Sequence, residues 1–156
     1  MNPAWRRLWA ETLGMIVMAT AMGLAFNAFS PAGIAVTRPL PLTDLDPRYL
    51  TATETRARYD AGQTVFLDGR SRKEFAAGHI AGALNLPAEK FESEFVELMR
   101  QFPLGKEMDL IVYCRGMGCG EGRAVADKLR ALGYTRVKIF AGGWKEWKAL
   151  GWPVEK

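Results

Sequence analysis

The chain has 156 residues, of which 49% are apolar and 24% are charged, and its formal net charge is +4. This length fits one globular domain plus a small additional segment, and the composition excludes a disordered chain. The basic residues are scattered, so we expect no nucleic-acid interface. Two cysteines are too few for the disulfide framework of a small secreted scaffold.

Residues 1–30 are predicted to form a transmembrane anchor. No residue from Leu13 to Phe29 is charged, and this run reaches the lower end of the roughly 17–25 residues that a membrane-spanning helix needs. Trp5 and Trp9 stand where interfacial aromatic residues are expected. The alternatives are a cleaved signal peptide and a buried core helix. The run is longer than the apolar core of most signal peptides, and no clean cleavage site follows it.

Arg6 and Arg7 precede the apolar run, which favours a cytoplasmic N-terminus by the positive-inside rule. The rest of the chain is then expected on the opposite side of the membrane, in the periplasm if the source is bacterial. Residues 31–47 carry four prolines and are predicted to be an extended linker. A folded domain is predicted over residues 48–156.

Strands and helices are predicted to alternate in this domain. The apolar runs at 64–68, 109–113 and 136–140 indicate buried strands. Helices are predicted before, between and after these strands, in the segments 51–62, 71–77, 88–102, 122–134 and 143–150. In these helices we expect inward positions at Phe91, Phe95, Leu98 or Met99, Phe102, Val125, Leu129 and Leu132. The alternation predicts an α/β fold with a mostly parallel sheet and helices on both faces.

Both cysteines lie in one glycine-rich segment, "YCRGMGCGEGR" at residues 113–123. A metal clip, a disulfide, a redox pair or one catalytic thiol with a helper would each use such a pair. Cys114 directly follows a predicted strand, at the edge of the sheet where α/β proteins bind ligands. Backbone amides of a glycine-rich loop before a helix can bind an anion and lower a thiol pKa. We therefore expect Cys114 to be a reactive thiol.

Two further motifs, together with this segment, resemble the rhodanese-like sulfurtransferase domain. "FLDGRSRKEFAAGHIAGALNLP" (66–87) is similar to the N-terminal motif of that family, and "AGGWKEWKALGWPVEK" (141–156) is similar to its C-terminal motif. The strand–cysteine–loop–helix segment stands between them, where the family carries its active cysteine. The resemblance covers roughly residues 50–156 and implies a rhodanese-like three-layer sandwich.

The resemblance implies that Cys114 accepts a sulfane sulfur, becomes a persulfide and passes the sulfur to a thiophilic acceptor. The donor would be thiosulfate, polysulfide or a persulfide, the acceptor a thiol or a cyanide-like molecule, and no cofactor is implied. The substrate-binding loop would comprise Arg115, Gly116, Met117, Gly118 and Gly120. Asp68 and Arg70 match a motif position that we interpret as a structural ion pair. His79, the only histidine, matches a scaffold position, and Trp144 and Trp147 are expected to pack in the core.

The segment departs from the family pattern in two ways. The loop is about two residues longer than the commonest form in the family, so the resemblance does not identify the sulfur donor. Cys119 lies inside it, in a C-x4-C pattern that a subset of the family shares, often with a serine three positions after the second cysteine; here Gly122 stands there. Cys119 is either a resolving thiol, which attacks the persulfide and releases sulfide, or a spectator.

Other functions of the segment are less well supported by the sequence. A phosphatase of this fold would need an arginine six residues after Cys114, but Gly120 stands there and the next arginine is Arg123. Two cysteines and one distant histidine do not make a four-ligand metal site. A membrane-tethered thiol–disulfide redox or sensing module and a non-catalytic docking domain stay as alternatives to sulfur transfer.

Overall fold

The computed structural model describes residues 3–29 and 46–156, in two compact units that divide near residue 40. The predicted linker lies outside the described residues except for residues 46 and 47. In the first unit, helix α1 (Pro3–Phe29) contains a 23-residue stretch, Trp5–Asn27, with a mean hydropathy of 1.5. This helix is long and apolar enough to span a membrane.

The second unit is an α/β domain. Its strands are β1 (Tyr49–Leu50), β2 (Thr64–Asp68), β3 (His79–Ile80), β4 (Leu84–Asn85), β5 (Asp109–Tyr113), β6 (Val137–Phe140) and β7 (Val154–Glu155). Its α-helices are α2 (Ala52–Asp60), α3 (Arg72–Ala77), α4 (Phe91–Gln101), α5 (Gly120–Ala131) and α6 (Gly143–Ala149), and a 3-10 turn at Ala88–Lys90 precedes α4.

The main sheet has the strand order β1-β6-β5-β2-β4, and every neighbouring pair in it is parallel. A second, antiparallel pair joins β3 to β7, with His79 opposite Glu155. The predicted mostly parallel sheet is therefore confirmed. The central strands β2 and β5 pair along their whole length, from Thr64 opposite Asp109 to Asp68 opposite Tyr113.

Each face of the sheet packs into its own core, because successive strand residues point to opposite sides. In β5, Leu110 and Val112 belong to a core with helices α4 and α5, whereas Ile111 and Tyr113 belong to a core with α6. Trp147 of α6 is fully buried, and its indole N–H donates to the carbonyl of Pro153 at 2.8 Å. Helices cover both faces, which gives the three layers that the resemblance implied.

Two helices of the domain are capped at their first turns. The Ser71 hydroxyl accepts a hydrogen bond from the backbone N–H of Glu74 at the start of α3. Thr51 and Glu54 make a full capping box at the start of α2. Thus the short polar helix α2, which has little apolar surface of its own, is anchored at its first turn.

Two inward positions were predicted wrongly, and one helix begins earlier than expected. Leu132 and Phe102 are 45% and 44% exposed, because each follows the last residue of its helix and leaves the helical face. Tyr134 is buried instead and donates its hydroxyl proton to the carbonyl of Leu104 at 3.1 Å. Helix α5 begins at Gly120 and not at Gly122, so Cys119 is its N-cap residue.

Candidate active site

Cys114 lies directly beyond the carboxyl end of β5 and is 5% exposed. Its Sγ packs against the first turn of α5, where a Cβ on Gly122 would come within 3.5 Å of the sulfur. The structure therefore places Cys114 at the sheet edge that the sequence predicted, beneath the beginning of a 12-residue helix.

The segment from Cys114 to Cys119, which we call the cysteine loop, is fixed at its start by helix α6. The N–H of Trp144 donates to the Cys114 carbonyl at 2.8 Å, and the N–H of Lys145 donates to the Arg115 carbonyl at 3.0 Å. Gly143 permits this close approach: its φ is 58°, and a Cβ there would lie 2.4 Å from the Cys114 carbonyl oxygen. Gly143 thus has a physical role in positioning the loop.

Cys114 and Cys119 are joined by a disulfide, with their Cα atoms 6.4 Å apart. The Cys114 sulfur also lies 3.5 Å from the carbonyl oxygen of Cys119 and 3.9 Å from that of Gly116. Because a disulfide sulfur carries no proton, these are contacts and not hydrogen bonds. In the oxidised loop the sulfur therefore faces carbonyl oxygens.

Several amides of the loop are free to bind an anion. Within the described residues, the N–H groups of Arg115, Gly116, Met117 and Gly118 have no hydrogen-bond acceptor, whereas that of Cys119 donates to the Gly116 carbonyl at 3.2 Å. Gly118 has φ 80°, in the left-handed region that glycine adopts without steric cost.

A cavity of about 200 Å³ opens beside the disulfide. It is lined by Tyr49, Cys114, Gly116, Gly118, Cys119, Gly120, Arg123, Ile139 and Ala141. Arg123, whose spacing argues against a phosphatase, thus brings a positive charge to this cavity. Its Nε lies 3.8 Å from an Asp127 carboxylate oxygen, and the Arg123 side chain is 60% exposed. The cavity can hold a small anion next to both sulfurs.

The side chain of Arg115 is held by two carboxylates. Its Nε and Nη2 donate to Glu74 at 2.6 and 3.0 Å, and its Nη1 donates to both oxygens of Glu121 at 2.9 and 3.0 Å. The hydrogen bonds from Arg115, with those from Ser71, lower the pKa of Glu74 to about 2. The same pairing raises the pKa of Arg115 above its usual value. Arg115 therefore links the cysteine loop to α3 and to the first turn of α5.

Asp68 and Arg70 form a buried ion pair, with the two side chains 0% and 3% exposed. Arg70 donates to both carboxylate oxygens and, through Nη2, to the carbonyl of Gly78 at 2.8 Å. The guanidinium also lies 4.9 Å from the ring centre of Trp144, which partly covers it. These contacts tie the end of β2 to the turn before β3.

His79 lies apart from the cysteine loop. Its ring stacks on Phe75 with 3.7 Å between ring centres, and its Nδ1 is 3.0 Å from the Phe75 carbonyl. It lines a different cavity of about 400 Å³, whose lining residues include neither cysteine. A residue in this position stabilises the turn between α3 and β3.

The sequence interpretation missed three residues near the two sulfurs. Tyr49 and Arg123 line the cavity, and the Glu121 carboxylate is 3.3 Å from the Cys119 sulfur. Glu121 and Arg123 are close to the sulfurs because α5 begins at Gly120, so they lie on its first turn. The glycine-rich start of that helix was the available signal. Tyr49 is on a two-residue strand that has no sequence signature.

The fold and the loop define an α/β protein with a cysteine at the carboxyl end of a central parallel strand and a glycine-rich turn beneath a helix N-terminus. The chain belongs to the rhodanese-like family: the family model "Rhodanese-like domain" matches residues 51–150. The rhodanese-like domain of an Anabaena protein, solved by NMR, aligns with a TM-score of 0.56 and 31% identity. That alignment covers 69% of this chain and 78% of the solved one.

Curated relatives with different activities share this domain. A human thiosulfate:glutathione sulfurtransferase is 34% identical over 60% of this chain and 87% of its own length. A transcriptional regulator of the HTH type from Mycobacterium tuberculosis is 32% identical over 69% of this chain and 44% of its own. A tRNA uridine(34) hydroxylase from Cronobacter sakazakii is 32% identical over 61% of this chain and 27% of its own length. The chain thus spans less than half the length of the last two relatives.

Proposed function

We propose that this protein is a sulfurtransferase that carries a sulfane sulfur on Cys114. The observation that carries the proposal is the position of this cysteine, buried at the end of β5 below a helix N-terminus and open to a small cavity. A helix N-terminus stabilises a thiolate, which is the form that attacks a sulfur donor. The sulfurtransferase relative, which aligns over 87% of its own length, supports the same activity.

The donor is a small sulfur-containing anion such as thiosulfate or polysulfide, or a persulfide, and the acceptor is a thiol or a cyanide-like molecule. The unpaired amides of the cysteine loop and the charge of Arg123 suit an anionic donor. The side chain of Arg115 is already paired with Glu74 and Glu121. Arg115 therefore contributes to donor binding through its backbone.

When no external acceptor takes the sulfur, Cys119 acts as a resolving thiol in this proposal. Its sulfur attacks the Cys114 persulfide, so that a disulfide forms and the outer sulfur leaves as sulfide. The disulfide between the two residues supports this step, since the loop brings the sulfurs within bonding reach. The same observation favours a second function, a thiol–disulfide redox or sensing module that uses the pair without transferring sulfur.

We also propose that helix α1 anchors the protein in a membrane, with its N-terminus in the cytoplasm and the rhodanese-like domain outside it. The support is the apolar stretch within Trp5–Asn27, whose uncharged part begins at Leu13, and the two arginines Arg6 and Arg7 that precede this uncharged part. In an oxidising compartment the disulfide would persist until a thiol reductant opens it. A reporter fused after Lys156 tests this orientation, and a cytoplasmic signal from the reporter would contradict it.

The test of the activity uses the full-length chain in detergent. Wild type, Cys114→Ser and Cys119→Ser are reduced, treated with thiosulfate or polysulfide, and examined by mass spectrometry and for cyanide-reactive sulfur. We expect an added sulfur atom in Cys119→Ser, no added sulfur in Cys114→Ser, and a disulfide with released sulfide in wild type. A disulfide without any sulfur adduct would favour the redox module. Neither product would favour a non-catalytic docking domain.

A further inference from the structure

The carboxylate of Glu121 lies against the sulfur of Cys119, and neither the resemblance nor the proposed reaction gives it a role. Its Oε2 is 3.3 Å from Cys119 Sγ. Among the residues that the structure describes, no other carboxylate contacts either sulfur. Cys114 Sγ is surrounded by backbone carbonyls and has no such partner. The two thiols of the pair therefore have different access to a proton acceptor.

We propose that Glu121 accepts the proton of the Cys119 thiol when this thiol displaces sulfide from Cys114, and that Arg115 positions the carboxylate. The inference rests on the proposed sulfur transfer and names a catalytic residue for its second step. The disulfide-bonded loop represents the product of that step. Because Glu121 is within reach of Cys119 Sγ in the product, a small rotation of the thiol brings its proton to the carboxylate.

The step balances in atoms and electrons. Cys119 Sγ attacks Cys114 Sγ, a sulfur–sulfur bond forms between them, and the bond to the outer sulfur breaks. The outer sulfur leaves with the bonding electron pair, receives the proton from Glu121 and departs as hydrosulfide. In this step the Cys119 sulfur is oxidised and the outer, sulfane sulfur is reduced to sulfide, while the Cys114 sulfur, already oxidised in the persulfide, keeps its oxidation state. A thiol or dithiol reductant then restores both thiols for the next turnover.

Arg115 fixes the position from which Glu121 acts. Its Nη1 donates to both carboxylate oxygens, at 2.9 and 3.0 Å, and its other nitrogens are held by Glu74 of α3. A bidentate contact of this kind restricts the carboxylate to one orientation. Arg115 is a positioning residue, since its side chain contacts neither sulfur within the described part of the chain.

The charged and titratable groups around the pair come from three elements and the loop. They are Arg115 in the loop, Glu74 of α3 behind it, Arg123 of α5, and Tyr49 of β1 on the cavity wall. A negative carboxylate next to Cys119 also opposes formation of its thiolate. Proton acceptance and charge repulsion therefore predict opposite results when the charge of Glu121 is removed at neutral pH.

The experiment follows sulfide release and disulfide formation in the full-length chain in detergent, after anaerobic loading of the reduced protein with polysulfide. Wild type is compared with Glu121→Gln across pH 6 to about 9, a range that crosses the ordinary thiol pKa of about 8.5. Glu92→Gln, which also loses an ion-paired carboxylate but on α4, is the matched control. Persulfide loading is measured separately by mass spectrometry in Cys119→Ser and in Cys119→Ser/Glu121→Gln.

We expect Glu121→Gln to release sulfide about a hundredfold more slowly at pH 7, at the lower end of the usual size of general-base effects. The difference should shrink as the pH rises past the thiol pKa, because Cys119 then ionises without help. Glu92→Gln should match wild type, and both Cys119→Ser variants should load equally. Unchanged or faster release in Glu121→Gln, or a deficit that is the same at every pH, overturns the role of Glu121. No persulfide on Cys119→Ser overturns the proposed function, and this inference with it.

Discussion

Replacement of Gly143 by alanine tests how helix α6 holds the cysteine loop. Gly143 has φ 58°, and its Cβ would lie 2.4 Å from the Cys114 carbonyl oxygen and 2.8 Å from the Gly116 nitrogen. Gly151, with φ 69° and nothing within 4 Å of its Cβ position, is the matched control. Both alanines carry the left-handed backbone penalty of about 1–2 kcal/mol, but only Gly143→Ala adds a steric clash with the loop.

We expect that clash to cost about 1–3 kcal/mol more, the usual range for overpacking a tight site. Relief of the contact requires the loop to move by about 1 Å, which breaks the hydrogen bonds from Trp144 and Lys145 to the loop carbonyls. Gly143→Ala should therefore lower both the free energy of unfolding in urea and the rate of Cys114 persulfide formation. Gly151→Ala should lower the free energy of unfolding alone. Equal unfolding midpoints and equal rates of persulfide formation in Gly143→Ala and Gly151→Ala would refute the proposed role of Gly143 in holding the cysteine loop.

Two further changes test the ion pairs around the site. Asp68→Asn leaves Arg70 buried without its countercharge and should lower the free energy of unfolding by about 3–5 kcal/mol. The control Asp60→Asn breaks an exposed ion pair and should lower it by at most about 1 kcal/mol. Similar losses for the two variants in urea unfolding would contradict the structural role of the buried pair. The pairing with Arg115 lowers the pKa of Glu74 to about 2 in the folded protein from its ordinary value of 4.5, so this group contributes stability above pH 4.5 that is lost as the pH falls towards 2. In Glu74→Gln the free energy of unfolding should fall less steeply than in wild type as the pH is lowered through this range. An equally steep fall in the variant and in wild type would contradict the pairing of Glu74 with Arg115.

The parallel sheet could be predicted from the sequence because its central strands are continuous apolar runs. β2 and β5 are buried on both faces, so their apolar residues stand consecutively and mark the strands without any tertiary information. The two-residue strands β1, β3, β4 and β7 could not be predicted in this way. These short strands form because a neighbouring strand pairs with them. At β1, for example, the N–H of Ile139 in β6 donates to the carbonyl of Arg48, the residue before β1.

The sequence predicted where the backbone of the candidate site lies, but not which side chains contact one another there. Cys114 follows a strong strand signal, and its position is set by the end of that strand. The partners of Arg115 come from 41 residues before it and six after it, and no local pattern relates Glu74 to Glu121. Such contacts depend on where the fold places α3 and α5 around the loop, and the periodicity of one segment carries no information about that placement.

The turn in the cysteine loop has two consequences for the Cys114 sulfur. Five residues of extended chain would separate the cysteine Cα atoms by roughly 16 Å, yet these atoms are 6.4 Å apart because the loop turns back at Gly118 and Cys119 bonds to Gly116. That turn lets the second thiol reach the first, but it also directs two carbonyl oxygens towards the Cys114 sulfur. Carbonyl oxygens repel an anionic donor, whereas loop amides attract it. The turn that brings the two sulfurs together therefore also brings two carbonyl oxygens to the Cys114 sulfur, and these oxygens oppose the attraction of the loop amides for an anion at that sulfur.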